Sequence, residues 1–203
     1  ISIIDYTGTG GNGTIAHGLG VTPNWVLVRN RDGGNNDTNF HHFTGLLSAD
    51  NRVLYGSSID GEQTNASAFN STAPTSTNIT VGTNSATNKD GDSYIMYAFA
   101  NKQAYSKIGK YNGNGNALGP FIYTGFRPGF LITKRIDDTD HWRWGDDTRP
   151  IFDGAAVNDG SLIQLKLNAE DSEADSGARN IHLVSNGFHI MTTDVDTNAS
   201  NGT

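Results

Sequence analysis

The chain of 203 residues contains no cysteine, so disulfides, thiolate chemistry and cysteine-ligated zinc are excluded. That absence says nothing of the compartment. Basic residues are also scarce: 14 Lys and Arg against 21 Asp and Glu give a formal charge of −7, with no Lys/Arg run to grip nucleic acid or an anionic membrane. No stretch approaches the roughly 20 apolar residues that span a bilayer as a helix. Sustained apolar stripes of helical period are missing too, which predicts little helix. Neither a GxSxG elbow, HExxH nor a P-loop occurs, the spacing Gly8-x-Gly10-x-x-Gly13 lacks the following helix that a phosphate cradle needs, and the reading is non-enzymatic.

What is present is a repeat. Tyr6, Gly8, Gly10, Gly20, Pro23, Trp25, Val26 and Leu27 fall without a gap on Tyr111, Gly113, Gly115, Gly125, Pro128, Phe130, Leu131 and Ile132, each 105 residues on. Unequal loops then shift the match. Phe43 of Phe-His-His-Phe answers Trp144 of His-Trp-Arg-Trp; Ile79, Val81 and Thr83 answer Phe188, Ile190 and Thr192; Thr87 and Asn88 answer Thr197 and Asn198. The apolar run Ser93-Tyr-Ile-Met-Tyr-Ala-Phe-Ala100 has no counterpart before Thr203, so the second copy is expected to lack its last strand.

Short apolar runs punctuated by turn formers predict strands at 14–17, 24–30, 39–44, 52–56, 67–70, 78–82 and 93–100, then 121–123, 129–135, 141–144, 161–168, 180–185 and 187–193. This density fits an all-β chain of two tandem, pseudo-repeated antiparallel β-sandwich domains, jelly-roll-like, over 1–105 and 106–203. In each copy a glycine able to take positive φ and a proline that fixes φ turn the chain just before a hydrophobic strand. The aromatics that follow, Trp25 and Phe130, are expected to seed the cores.

Tyr6-x-Gly8-x-Gly10, Gly20-x-x-Pro23-x-Trp25, Ala73-Pro-Thr-Ser-Thr77 and the closing Gly91-Asp-Ser-Tyr-Ile-Met-Tyr-Ala-Phe-Ala100 together resemble a repeat domain of tailed-phage structural proteins, notably those of marine and cyanobacterial phages. The resemblance spans essentially the whole chain. The second copy departs from it at Ala178-Arg-Asn-Ile181 but keeps Ser185-Asn-Gly-Phe188. It implies a virion surface component, a tail fibre or appendage segment that displays loops for host-surface attachment. Other virion proteins and a host-surface glycan would be its partners, and trimerisation would follow if it is a fibre. A capsid decoration protein and a bacterial extracellular adhesin or filament repeat are the alternatives, and the last of these could receive its missing strand from a neighbouring subunit.

Candidate surface residues are His41, His42, His141 and Arg143. Adjacent histidines on a strand face opposite ways, so His41 and His42 do not share a metal. If Trp142 and Trp144 both point inward like Phe43, His141 and Arg143 point outward. Asp137, Asp138 and Asp140, with Asp146 and Asp147 nearby, form the densest carboxylate group; they are the candidate calcium ligands in a chain otherwise expected to need no cofactor. Asp90-Gly-Asp92 and Asp194-Val-Asp196 read as turns, and the Asn-X-Ser/Thr triplets as chance in so Asn- and Thr-rich a sequence.

Overall fold

The computed structural model describes residues 1–33, 40–148, 164–170, 181–200 and 202–203. It divides into two compact units, Ile1–Ser58 with Glu62–Lys102, and Ile59–Gly61 with Gln103–Thr203. Among the described residues every strand pairing is antiparallel.

The first unit contains β1 (Ser2–Thr7), β2 (Gly13–Ala16), β3 (Trp25–Asn30), β4 (His41–Thr44), β5 (Arg52–Tyr55), β6 (Gln63–Thr64), β7 (Asn78–Val81), the one-turn helix α1 (Ser85–Asn88) and β8 (Ser93–Phe99). A six-stranded sheet runs β1-β8-β3-β4-β5-β6, and β2 pairs with β7 in a second, two-stranded sheet. Alternate residues of β3 and β8 turn inward: Val26, Val28, Tyr94, Met96 and Ala98 are fully buried with Phe43, Val53, Ile79 and Val81. The core is therefore shared by both sheets, the arrangement of a sandwich.

The second unit contains β9 (Phe121–Tyr123), β10 (Phe130–Thr133), β11 (Arg143–Asp146), β12 (Leu165–Lys166), β13 (Ile181–Val184), β14 (Gly187–Ile190) and the short helix α2 (Val195–Asn198). Its sheets run β10-β11-β12 and β13-β14-β9. Ile181, Phe188 and Ile190 form the buried centre, against which Tyr111, Ile122, Leu131 and Leu183 pack.

The repeat is visible in the polar contacts as clearly as in the sequence. Tyr6 donates its hydroxyl proton to the Thr87 carbonyl at 2.5 Å, and Tyr111 does the same to Thr197 at 2.7 Å. Asn84 caps α1 by accepting from the Ala86 amide, and Asp194 caps α2 through the Asp196 amide, both at 2.9 Å. Gly8 and Gly113 are fixed by close approach, since a Cβ there would stand 2.1 Å from the Lys89 carbonyl oxygen and 2.3 Å from that of Ala199.

Four expectations need correction. Residues 67–70 form turns, because Asn70 and Ser71 take successive positive φ values of 51° and 47° and end any extended run. Residues 2–7, not expected as a strand, form β1 along β8. Trp25 and Phe130 do not seed the cores: their successors Val26 and Leu131 point inward, and the aromatics lie on the outer face. Gly82 and Thr192 are the true counterparts, each accepting from the side chain of the asparagine six residues on, one place away from the pairing of Thr83 with Thr192. The expected strand segment 161–163 and Asn39 and Asn180 lie outside the described residues.

Candidate functional site

The two histidines first expected at the surface are each only 5% exposed. They lie in β4, an interior strand paired on both edges by β3 and β5, and aromatic rings cover the side chains on its two faces. As adjacent strand residues they do point opposite ways. His41 meets Tyr55 edge-on at 5.0 Å, whereas His42 stacks on Trp25 at 5.6 Å and reaches Phe40 at 6.2 Å. Burial pushes the His42 imidazole down to about 3, with the charge of His41 adding to the effect. Gly56 makes room for it, since a Cβ there would stand 2.8 Å from His42 Nε2.

Above His42 lies an aromatic platform. Trp25 and Phe99 are ladder partners, half-buried and stacked with centroids 5.2 Å apart. Beside them the Arg29 guanidinium sits 5.1 Å from the centre of the Phe40 ring. The second unit carries the counterpart: Phe130, 51% exposed, meets Trp144 at 5.5 Å. Strand register establishes the equivalence. Trp25 pairs with Thr44 and Leu27 with His42, while Phe130 pairs with Asp146 and Ile132 with Trp144.

That register also overturns the expected match of Phe43 with Trp144. Val26 opposes Phe43, and its repeat partner Leu131 opposes Gly145. The strand begins at Arg143 instead of His141, and a slip of one residue exchanges the two faces. Trp142 is buried and Trp144 half-buried. Arg143, expected outside, stands where His41 stands in the first unit; it is 3% exposed and forms an ion pair with Asp196 of α2. His141 precedes the strand, half-buried, with Nδ1 3.1 Å from Asn168 Oδ1.

In the acidic loop Arg135 pairs with two of the three candidate carboxylates. It holds Asp137 through Nε at 3.0 Å, which keeps the Asp137 carboxyl below its ordinary range, and reaches Asp138 at 3.4 Å. Asp140 is buried and accepts from the His141 amide at 2.8 Å. Lys134, whose ammonium burial lowers to about 8 against the opposing pull of Asp140 and Asp60, donates to the carbonyls of Ile59 and Arg135. Among the described residues no group of three or more His, Asp or Glu side chains is placed to hold one metal ion.

A cleft of about 180 Å³ lies where the Gly-x-x-Pro turn meets the Ala73-Pro74 segment, lined by Thr22, Pro23, Asn24, Phe43, Leu46 and Pro74. It is smaller than the roughly 300–1,000 Å³ of pockets that engulf a small molecule. Among the described residues the doubled platform offers a ligand aromatic faces, partly exposed, suited to the C–H face of a ring. Its members were missed in the sequence because Trp25-Val-Leu-Val28 is continuously apolar, leaving no alternation to show which residue faces out.

No helix among the described residues is long and apolar enough to cross a membrane. No curated protein and no solved structure matches the chain. Over residues 1–203 it matches the model of the family described as Domain of unknown function (DUF7483), and it belongs to that family.

Proposed function

We propose that the chain is a non-enzymatic structural protein of a phage virion, a tail-fibre or appendage segment that binds a host-surface glycan through its aromatic platforms. One observation carries the attachment reading. An aromatic pair stands at the same register position once in each unit, half-buried Trp25 stacked on buried His42 and exposed Phe130 edge-on to half-buried Trp144. Weak stacking contacts repeated along a chain, and again across an oligomer such as a trimer, multiply into useful avidity. The phage assignment rests on the resemblance of the Gly-Pro turn, the Ala73–Thr77 segment and the Ser93–Phe99 strand to tailed-phage repeats.

The test is binding of the chain to immobilised bacterial surface polysaccharides and to a glycan array, beside the variants Trp25→Ala and Trp144→Ala. Circular dichroism would verify that each variant folds. Saturable binding, weakened at least about tenfold in the double variant, is the expected result. Binding unchanged in the folded double variant overturns the platform. Absence of glycan binding together with tight association with phage heads replaces attachment with capsid decoration.

A further inference from the structure

In the first unit β8 lies between β1 and β3 and pairs with both over its length. The second unit supplies both flanks of that arrangement. Residues 107–112 stand for β1 and β10 stands for β3, and Tyr111 and Leu131, one from each flank, pack on the same buried centre of Ile181, Phe188 and Ile190. Yet 107–112 form no strand, and among the described residues β10 has a ladder partner only in β11. Surfaces that β8 covers in the first unit are correspondingly open: Val26 is fully buried, its counterpart Leu131 only partly, and Phe130 is half in solvent.

Polar groups mark the same place. In the first unit the Tyr94 ring stacks on Tyr6 at 5.0 Å. Its hydroxyl accepts from the Lys89 amide at 2.7 Å and donates to the Ser85 carbonyl at 2.5 Å. The second unit keeps Tyr111 in the place of Tyr6, and the Ala199 amide and Val195 carbonyl in the places of the other two. Among the described residues no tyrosine hydroxyl reaches these two groups. At the mouth of the space the Gly113 amide donates to the Gly202 carbonyl at 2.8 Å, as the Gly8 amide does to that of Asp92.

We propose that the second unit is a strand acceptor: the space between residues 107–112 and β10 takes an extended segment with the alternation of Ser93–Phe99, running antiparallel to β10 from the Thr203 end. Its first inward residue is a tyrosine whose hydroxyl bridges the Ala199 amide and the Val195 carbonyl. The next inward residues are apolar, one of medium size opposite Thr133 and one small opposite Leu131, as Met96 opposes Val28 and Ala98 opposes Val26. The outward aromatic corresponding to Phe99 then stacks on Phe130 and completes the second platform.

The test extends the full chain directly after Thr203 with Tyr-Ile-Met-Tyr-Ala-Phe, the sequence of residues 94–99. A control carries one extra serine before the same six residues, which moves every inward side chain to the outer face. Amide hydrogen exchange over 130–133 is expected to slow at least about tenfold in the extended chain and to stay unchanged in the control. A second extension, with phenylalanine in place of its first tyrosine, separates the bridge from generic apolar cover and is expected to protect less. Equal exchange in the extended and original chains overturns the proposal. So does an original chain that self-associates with 130–133 already protected, because a second copy then fills the space. Each readout is independent of glycan binding.

Discussion

Asn88 and Asn198 close their units with the same set of hydrogen bonds. The Asn88 side chain donates to the Gly82 carbonyl at 2.8 Å and accepts from the Thr9 amide at 2.9 Å; Asn198 donates to Thr192 at 2.6 Å and accepts from the Asn114 amide at 2.8 Å. Their backbone carbonyls receive the Gly10 and Gly115 amides. Each asparagine ties the glycine-rich loop at the start of its unit to the chain leaving its short helix.

Because both side chains are essentially unexposed, truncation leaves several backbone groups buried without partners. Asn88→Ala and Asn198→Ala are each expected to destabilise their own unit by about 3 kcal/mol. Hydrogen exchange resolved by segment would find the loss confined to the unit that carries the substitution. A loss below about 1 kcal/mol would show that water replaces the side chain at these sites.

Gly8→Ala and Gly113→Ala meet backbone, which cannot move aside as a flexible side chain would. A methyl at Gly8 would stand 2.1 Å from the Lys89 carbonyl oxygen, whereas one at Gly11 meets nothing within 4 Å. Urea denaturation is expected to show a loss of about 3 kcal/mol for each of the first two variants and less than about 0.5 kcal/mol for Gly11→Ala.

These two devices mark what was legible in the sequence. Close approaches and tight turns tolerate few residue types, so the glycines and Pro23 and Pro128 stand in register in both copies and reveal the repeat, while the antiparallel β architecture followed from the short apolar runs between turn formers. Side-chain direction was harder. The unequal loops before β4 and β11 hid a slip of one residue, which misassigned the faces of Arg143 and Trp144. The partner of Arg143 lies in α2, far along the chain, where nothing local to either residue announces the pairing. Burial of His41 and His42 depends on Tyr55 against one and on Trp25 and Phe40 against the other, a juxtaposition of separate segments that no short motif encodes.

The buried pair of Arg143 and Asp196 predicts an asymmetry among variants. Arg143→Ala strands a carboxylate that is 11% exposed away from its guanidinium, and a loss of about 3–5 kcal/mol is expected in the second unit. Arg143→Met combined with Asp196→Asn removes both charges and keeps most of the volume, and is expected to recover more than half of that loss. A double-mutant cycle by thermal denaturation measures the coupling; additive losses would mean that the two side chains act independently.

His42 makes the first unit sensitive to acid. Its pKa is near 6.5 when exposed and is lowered to about 3 in the fold, so between these values the unfolded chain binds more protons than the folded one. The unit is therefore at full stability, as far as this group is concerned, above about pH 6.5, and loses stability as the pH falls toward 3. Above that range the curve should be flat for this residue, since the imidazole is neutral in both states. His42→Phe keeps a ring against Trp25 and removes the titration, so the slope of unfolding free energy between pH 6 and about 4 should fall by close to one proton's worth. The counterpart position supports the choice, because Trp144 occupies it with an aromatic that carries no titrating group in this range. A variant that retains the wild-type slope would assign the acid sensitivity to other groups, and urea titrations at a series of pH values would decide the matter.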